Sequence, residues 1–241
     1  MIGAAMLSLT IATLLMTSPT GGAANYVAFD ARLQAGVHCL VDVRALHPTQ
    51  LAVGLQEIRM RAARLLAMKA HKQEKYLRSK EVPVVIGPGG VPYIVDRHHL
   101  VRLLLDTNLR AQAYAIVSAN WSNLPPEIFW KRMSETHWLY LFDEHGKGPL
   151  ATAALPKSVA DLKDDPYRTL SWLVRERGGY AKTAVPFAEF QWANFFRARI
   201  SEKAMANLEE AAAVAFKLAA SPEAATLPGY TPTPLPAGEA D

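Results

Sequence analysis

Val82-Pro-Val-Val-Ile-Gly-Pro-Gly-Gly-Val-Pro-Tyr-Ile-Val-Asp-Arg-His-His-Leu100 sets two β-rich runs either side of a glycine–proline turn, then turns polar and cationic. The runs Val82–Ile86 and Val91–Val95 with Gly87-Pro-Gly-Gly90 between them predict a hairpin, and prolines near the run starts suit strand beginnings or edges. Asp96 then reads as the N-cap of a helix from Arg97 to about Thr107, with Leu100, Leu103 and Leu104 on one face.

Outward from this hairpin the pattern alternates. Upstream, residues 37–43 read as a short strand closed by Leu46-His-Pro-Thr-Gln50, and residues 53–80 show helical periodicity through Leu55, Ile58, Ala62, Leu65 and Leu66. Downstream come a strand at Ala113–Ala119 and a helix that starts at Pro125-Pro-Glu and runs to Glu135. A helix from Thr169 to Arg177 stops at Gly178-Gly179, and one long helix is expected over 187–218, aromatic early and alanine-rich late. The order implies an α+β fold: a small mixed sheet with flanking helices and a C-terminal helical cap. The core is placed at 25–150, a helical extension packed on it at 151–220, and a disordered Pro-rich tail at 221–241, which has too little apolar surface to offset ordering.

The N-terminal 24 residues carry no charge and hold an 11-residue apolar run, Met6–Met16, too short for the ~20 apolar residues of a membrane span. With Gly22-Ala-Ala24 behind it, the run reads as a signal peptide, giving a periplasmic or secreted protein with no transmembrane anchor after cleavage. A true start further downstream is the alternative and leaves the protein cytoplasmic. A single cysteine, Cys39, excludes an internal disulfide framework and any paired-cysteine zinc or redox motif. Net charge is +4 over 241 residues, but the segment after residue 220 holds only Glu223, Glu239 and Asp241. The body between the two ends is therefore more basic than the whole, which suits a phosphate-bearing partner, nucleic acid or nucleotide.

The polar junction 96–102 is where chemistry is expected. Unpaired N–H groups and the positive end of the dipole make a helix start an anion site, and Arg97, His98 and Arg102 add charge and donors within a turn of it. The bland alternative is a cap with two surface histidines. In the second half, Asp161, Asp164 and Asp165 flank a proline turn and could offer oxygen ligands to a divalent cation such as Mg²⁺, although aspartates before proline commonly just form turns. Lys182 after Gly-Gly could neutralise a phosphate. Glu189 is expected as a helix-start carboxylate helped by the dipole, and the aromatic group around it as packing between cap and sheet.

The hairpin followed by Asp96-Arg-His-His-Leu100 resembles the core of the ParB/sulfiredoxin superfamily, most closely its ParB-like nuclease branch. In that superfamily a strand–turn–strand leads to a polar box that holds nucleotide phosphates. The box is Gly-Glu-Arg-Arg in ParB proteins, Gly-Cys-His-Arg in sulfiredoxins and Asp-Gly-His-His-Arg in free-serine kinases. Here Asp96, His98 and His99 match the last pattern, while Arg97 stands for its glycine and Leu100 for its arginine. The missing cysteine excludes sulfiredoxin chemistry. The turn at Leu46–Gly54 also resembles the family, where it lies beside the phosphates; Gln50 stands near where the kinases carry an acid, and it cannot act as a base. Beyond residue 150, the stretches 156–168, 178–182 and 186–197 resemble the nuclease branch alone.

The resemblance implies phosphodiester hydrolysis with His98, His99 and Asp96 as catalytic candidates and Arg97, Arg102, Lys182 and Gln50 at the phosphates. A nucleotide-dependent phosphotransferase and a non-catalytic module binding nucleotide or nucleic acid are the alternatives. No helix-turn-helix follows the core, which argues against sequence-specific DNA reading.

Overall fold

A computed structural model describes residues 25–234; the expected signal peptide and the last seven residues of the tail lie outside the described residues. Seven strands and seven helices follow one another: β1 Val27–Ala28, β2 His38–Asp42, β3 Ala52–Val53, α1 Leu55–Leu66, α2 Ala70–Ser79, β4 Val82–Ile86, β5 Pro92–Ile94, α3 His98–Thr107, β6 Gln112–Asn120, α4 Pro126–Glu135, β7 Lys163–Asp164, α5 Pro166–Glu176, α6 Ala188–Arg197 and α7 Leu208–Ala219. The main sheet has the order β1-β2-β6-β4-β5. It is mixed, with β1 parallel to β2, β4 parallel to β6, and the β2–β6 and β4–β5 pairs antiparallel.

β4 shows why this sequence makes a central strand. Val84 and Val85 point to opposite faces, and both are fully buried. Val82, Val84 and Ile86 join a core built with α1 and α3, whereas Val85 joins Phe129 and Met133 of α4 on the other side. A third cluster packs α5, α6 and α7 around Trp172, Trp192, Tyr180 and Phe196. α1 links the layers: Ile58, Ala62 and Leu65 face the sheet core, while Met60 packs on the helical cluster. The short parallel pair β3–β7, with Ala52 opposite Lys163, ties the second half of the chain to the first. No helix among the described residues is long and apolar enough to cross a membrane.

Three expectations are corrected. The helix predicted over 53–80 is two helices, α1 and α2. Gln73 turns back to donate from Nε2 to the Leu65 carbonyl at 3.0 Å, a second bond beside that from the Met68 N–H at the end of α1. The long helix over 187–218 is likewise broken between α6 and α7. Ile200 is buried in the break, and Asn207 caps α7 by accepting from the Glu210 N–H at 3.3 Å.

The third correction concerns the tail. Residues 221–234 are not separate from the fold: Ala224 is fully buried, and Leu227 and Tyr230 pack against the helical cluster. The Trp192 indole donates to the Pro228 carbonyl at 2.8 Å, and Ala181 N–H donates to the Gly229 carbonyl at 2.8 Å. Gly229 has φ +78°, and a Cβ there would stand 2.1 Å from the Ala181 carbonyl oxygen, so only glycine fits. Truncating the chain after Ser221 should therefore cost about 2–4 kcal/mol, from lost burial and an indole N–H left without its acceptor. Thermal denaturation of the truncated protein should show a midpoint lower by roughly 5 °C or more; an unchanged midpoint would contradict this docking.

Candidate functional site

β5 delivers the chain to the box, and the box does not start its helix as expected. Arg97, not Asp96, holds the cap position of α3, with φ +66° and ψ 21°. The Asp96 carboxylate accepts from the Arg97 N–H at 2.6 Å, so it braces the left-handed turn and does not reach the helix. α3 consequently has no side-chain cap. Arg97 occupies a conformation that favours glycine, at the position where the resembling boxes carry glycine. Left-handed backbone costs a non-glycine residue about 1–2 kcal/mol. Arg97→Gly should thus raise stability by about 0.5–1 kcal/mol in chemical denaturation while weakening ligand binding. Loss of stability on this change would show the turn to be unstrained.

The two histidines have separate partners. His98 is 5 % exposed, and its Nε2 accepts from the Thr49 N–H at 3.1 Å, while the Thr49 hydroxyl donates to the Ile94 carbonyl at 2.8 Å. Burial pushes the imidazole down to about 3. His98 is therefore a neutral clamp between α3 and the 46–50 turn, which corrects its expected role in moving protons. His99 Nε2 lies 3.0 Å from the Gly54 N–H and 3.2 Å from Glu57 Oε2. One ring nitrogen cannot accept from Gly54 and donate to Glu57 together, so a proton between imidazole and carboxylate is shared in one place or the other. Burial, then the Arg168 and Arg61 charges, hold His99 well below the ordinary histidine value. Burial also raises the Glu57 carboxyl despite Arg168, Arg61 and Arg175. Both shifts favour the neutral acid beside a neutral ring.

Glu57 anchors residues that sequence reasoning missed. It is 1 % exposed; its Oε2 accepts from Arg168 NH1 at 3.0 Å, and its Oε1 lies 2.9 Å from Arg61 Nε. Arg168 and Arg175 come from the buried face of α5, and Arg175 pairs with Glu189 in the first turn of α6. Burial works against the Glu189 charge, but Arg168 and Arg175 outweigh it and lower its carboxyl. The α1–α5 contact is close because residue 54 is glycine: a Cβ there would be 2.5 Å from Thr169 Oγ1. A carboxylate and a guanidinium one turn apart, at 57 and 61, and two arginines seven apart, at 168 and 175, were the available signals.

These groups line one cleft of about 410 Å³, together with Asp96, Arg97, His98, His99, Gln50 and Lys182. Gln50 is held by donating from Nε2 to the Ala52 carbonyl at 2.7 Å. Arg102 does not line the cleft, correcting its expected phosphate contact. Its guanidinium bonds Asp106 at 2.8 Å and the Leu162 carbonyl at 3.2 Å, fastening α3 to the second half of the chain. The three aspartates before α5 do not converge either. Asp164 accepts from the Leu55 N–H, and Asp165 caps α5 and pairs with Arg197. Among the described residues no three His, Cys, Asp or Glu side chains gather as a metal site. The cleft carboxylates Glu57 and Glu189 face guanidiniums, a donor set that does not suit a cation held by the protein alone.

The lining holds six cations (Arg61, Lys80, Arg97, Arg168, Arg175 and Lys182) against three carboxylates. The Nε atoms of Arg97, Arg168 and Arg175 are buried without a hydrogen-bond acceptor, and that of Arg61 is buried against Glu57 Oε1 without a well-aligned bond. α6, like α3, starts from a left-handed residue, Phe187, with no side-chain cap. Arg97, Phe187 and His137 are three of the four non-glycine residues with positive φ among those described, and all three line the cleft. Strain and orphaned donors thus gather at one place, which is the pattern of a binding site and not of a core.

Residues 39–198 match the profile of the family described as "Putative ParB-like nuclease". The match takes in both the box and the cap residues Arg168, Arg175 and Glu189. Among solved structures, the protein Atu1540 from Agrobacterium tumefaciens is similar, at 35% identity and a TM-score of 0.75, over 80% of this chain and 96% of that one. No curated protein matches.

Proposed function

We propose, for a chain that belongs to the ParB-like nuclease family, that the cleft holds a phosphate of a nucleic acid or nucleotide and hydrolyses its phosphodiester. The observation that carries this reading is the His99–Glu57 pair at 3.2 Å, set beside Arg168 and Arg175, whose buried Nε–H groups have no acceptor. Arg97 and Lys182 neutralise the ligand at the mouth, and the uncapped start of α3 offers N–H groups to a phosphate oxygen.

The chemistry follows from what these groups do as charge moves. A water attacks phosphorus and gives its proton to His99, whose neutral ring is ready to accept it; the ester P–O bond breaks. The proton then passes to the leaving oxygen. The Glu57 carboxyl, 3.2 Å from Nε2, shares the pair's proton with the ring, and the guanidiniums stabilise the added charge on the phosphate. No step is routed through a metal ion held by the protein.

The test is incubation of the purified protein with single- and double-stranded DNA, RNA and nucleoside triphosphates, with and without Mg²⁺ or Mn²⁺. Cleavage of a phosphodiester bond is the expected result. Binding without turnover under every condition would leave a non-catalytic nucleotide or nucleic-acid module.

A further inference from the structure

We propose that Arg61, Arg168 and Arg175 form a subsite for a terminal phosphate, so that the cleft takes nucleotides or strand ends carrying a phosphomonoester in preference to internal phosphodiesters. This rests on the phosphate-binding reading above and adds the substrate class.

The first ground is the state of the guanidiniums. Arg168 and Arg175 are 7 % and 6 % exposed, and each uses NH1 on a carboxylate, Glu57 and Glu189 respectively. The Nε atoms of both remain buried and without an acceptor, while Arg61 Nε lies 2.9 Å from Glu57 Oε1 without the alignment of a hydrogen bond. A buried, unbonded guanidinium N–H is unfavourable unless something supplies the acceptor, and a phosphate oxygen takes the Nε–H edge side-on. The two carboxylates fix the arginines before any ligand arrives, so little ordering is left to oppose binding.

Charge is the second ground. The cleft has three more cations than carboxylates, and burial raising the Glu57 carboxyl widens that surplus. A phosphodiester brings one negative charge, whereas a terminal phosphate brings about 1.5–2 and three acceptor oxygens. Size is the third. A cleft of about 410 Å³ is of a size for one nucleotide.

The test compares dinucleotides bearing a 5′-phosphate, a 3′-phosphate or no terminal phosphate, by calorimetric titration of the full-length protein. At least one phosphorylated form should bind about tenfold or more tighter than the unphosphorylated one. Arg175→Gln should collapse that ratio to under about threefold, and Arg61→Gln, on the more exposed helix, provides the same readout if Arg175→Gln fails to fold. Equal binding of all three dinucleotides would overturn the terminal subsite and leave the phosphodiester reading standing. No binding of any of them by the folded protein would overturn both.

Discussion

On the proposed hydrolytic reading, His99→Gln should lower phosphodiester turnover about 10²–10⁴-fold while ligand affinity changes by no more than about threefold. Glutamine keeps an acceptor near the place of Nε2, so the Gly54 N–H, now 3.0 Å from the ring nitrogen, retains its bond and α1 stays seated. What glutamine cannot do is take up and release a proton. The rate loss therefore isolates proton transfer from the fastening of Gly54. Single-turnover kinetics beside an affinity measurement check this, and a variant with unaltered turnover would remove His99 from the chemistry. Glu57→Gln is the companion change: it keeps hydrogen-bonding atoms toward Arg168 and Arg61 but removes the carboxyl that shares a proton with His99.

Acid should unfold this protein earlier than its carboxylates alone would dictate. His98 is held down to about 3 in the folded state against 6.5 ordinarily, so between those values the unfolded chain binds a proton that the folded chain refuses. Stability on this account is complete above about pH 6.5 and falls as pH drops toward 3, by up to roughly 4–5 kcal/mol from this one group. His99, also depressed, contributes with the same sign. Glu57 opposes them: its raised carboxyl stabilises the fold at low pH, and that contribution is lost as pH rises through its folded value. Two histidines against one carboxyl leave the acid loss dominant. Urea denaturation from pH 7 to 4 should show falling midpoints, and His98→Gln, which can still accept from the Thr49 N–H, should flatten the slope by about one proton. An identical slope in the variant would mean that His98 is not the neutral clamp.

The sheet was largely legible because its signals are local. Gly87-Pro-Gly-Gly90 between two valine-rich runs is a hairpin in one reading frame, and the expected strand over 113–119 needed only two more residues to become β6. The family was legible by resemblance, yet the geometry of residues 96–100 was not. Aspartate before a helical pattern reads as a cap, and nothing local announces that Arg97 takes the left-handed turn in its stead. The helix breaks after Leu66 and Arg197 carry neither glycine nor proline, being made by Gln73 and by the buried Ile200.

The inner half of the cleft was the least legible. Glu57 meets Arg168 across 111 residues of chain, and no local period encodes a pairing of that span. Arg102 misled for the converse reason: one turn from the box in sequence, it points away to Asp106 and Leu162. The tail misled by composition, since proline-rich chain with a few apolar residues reads as disorder until a partner surface, here Trp192 and Ala181, is in place.

The central claim is that the cleft at the start of α3 is built for phosphate. Titrating a phosphorylated nucleotide into the wild-type protein and into Arg97→Ala, over a range of ionic strengths, tests it most directly. Wild-type affinity should fall steadily as salt rises, and Arg97→Ala should bind about 1.5–3 kcal/mol more weakly at low salt. Equal affinity in the two folded proteins, unmoved by salt, would contradict it.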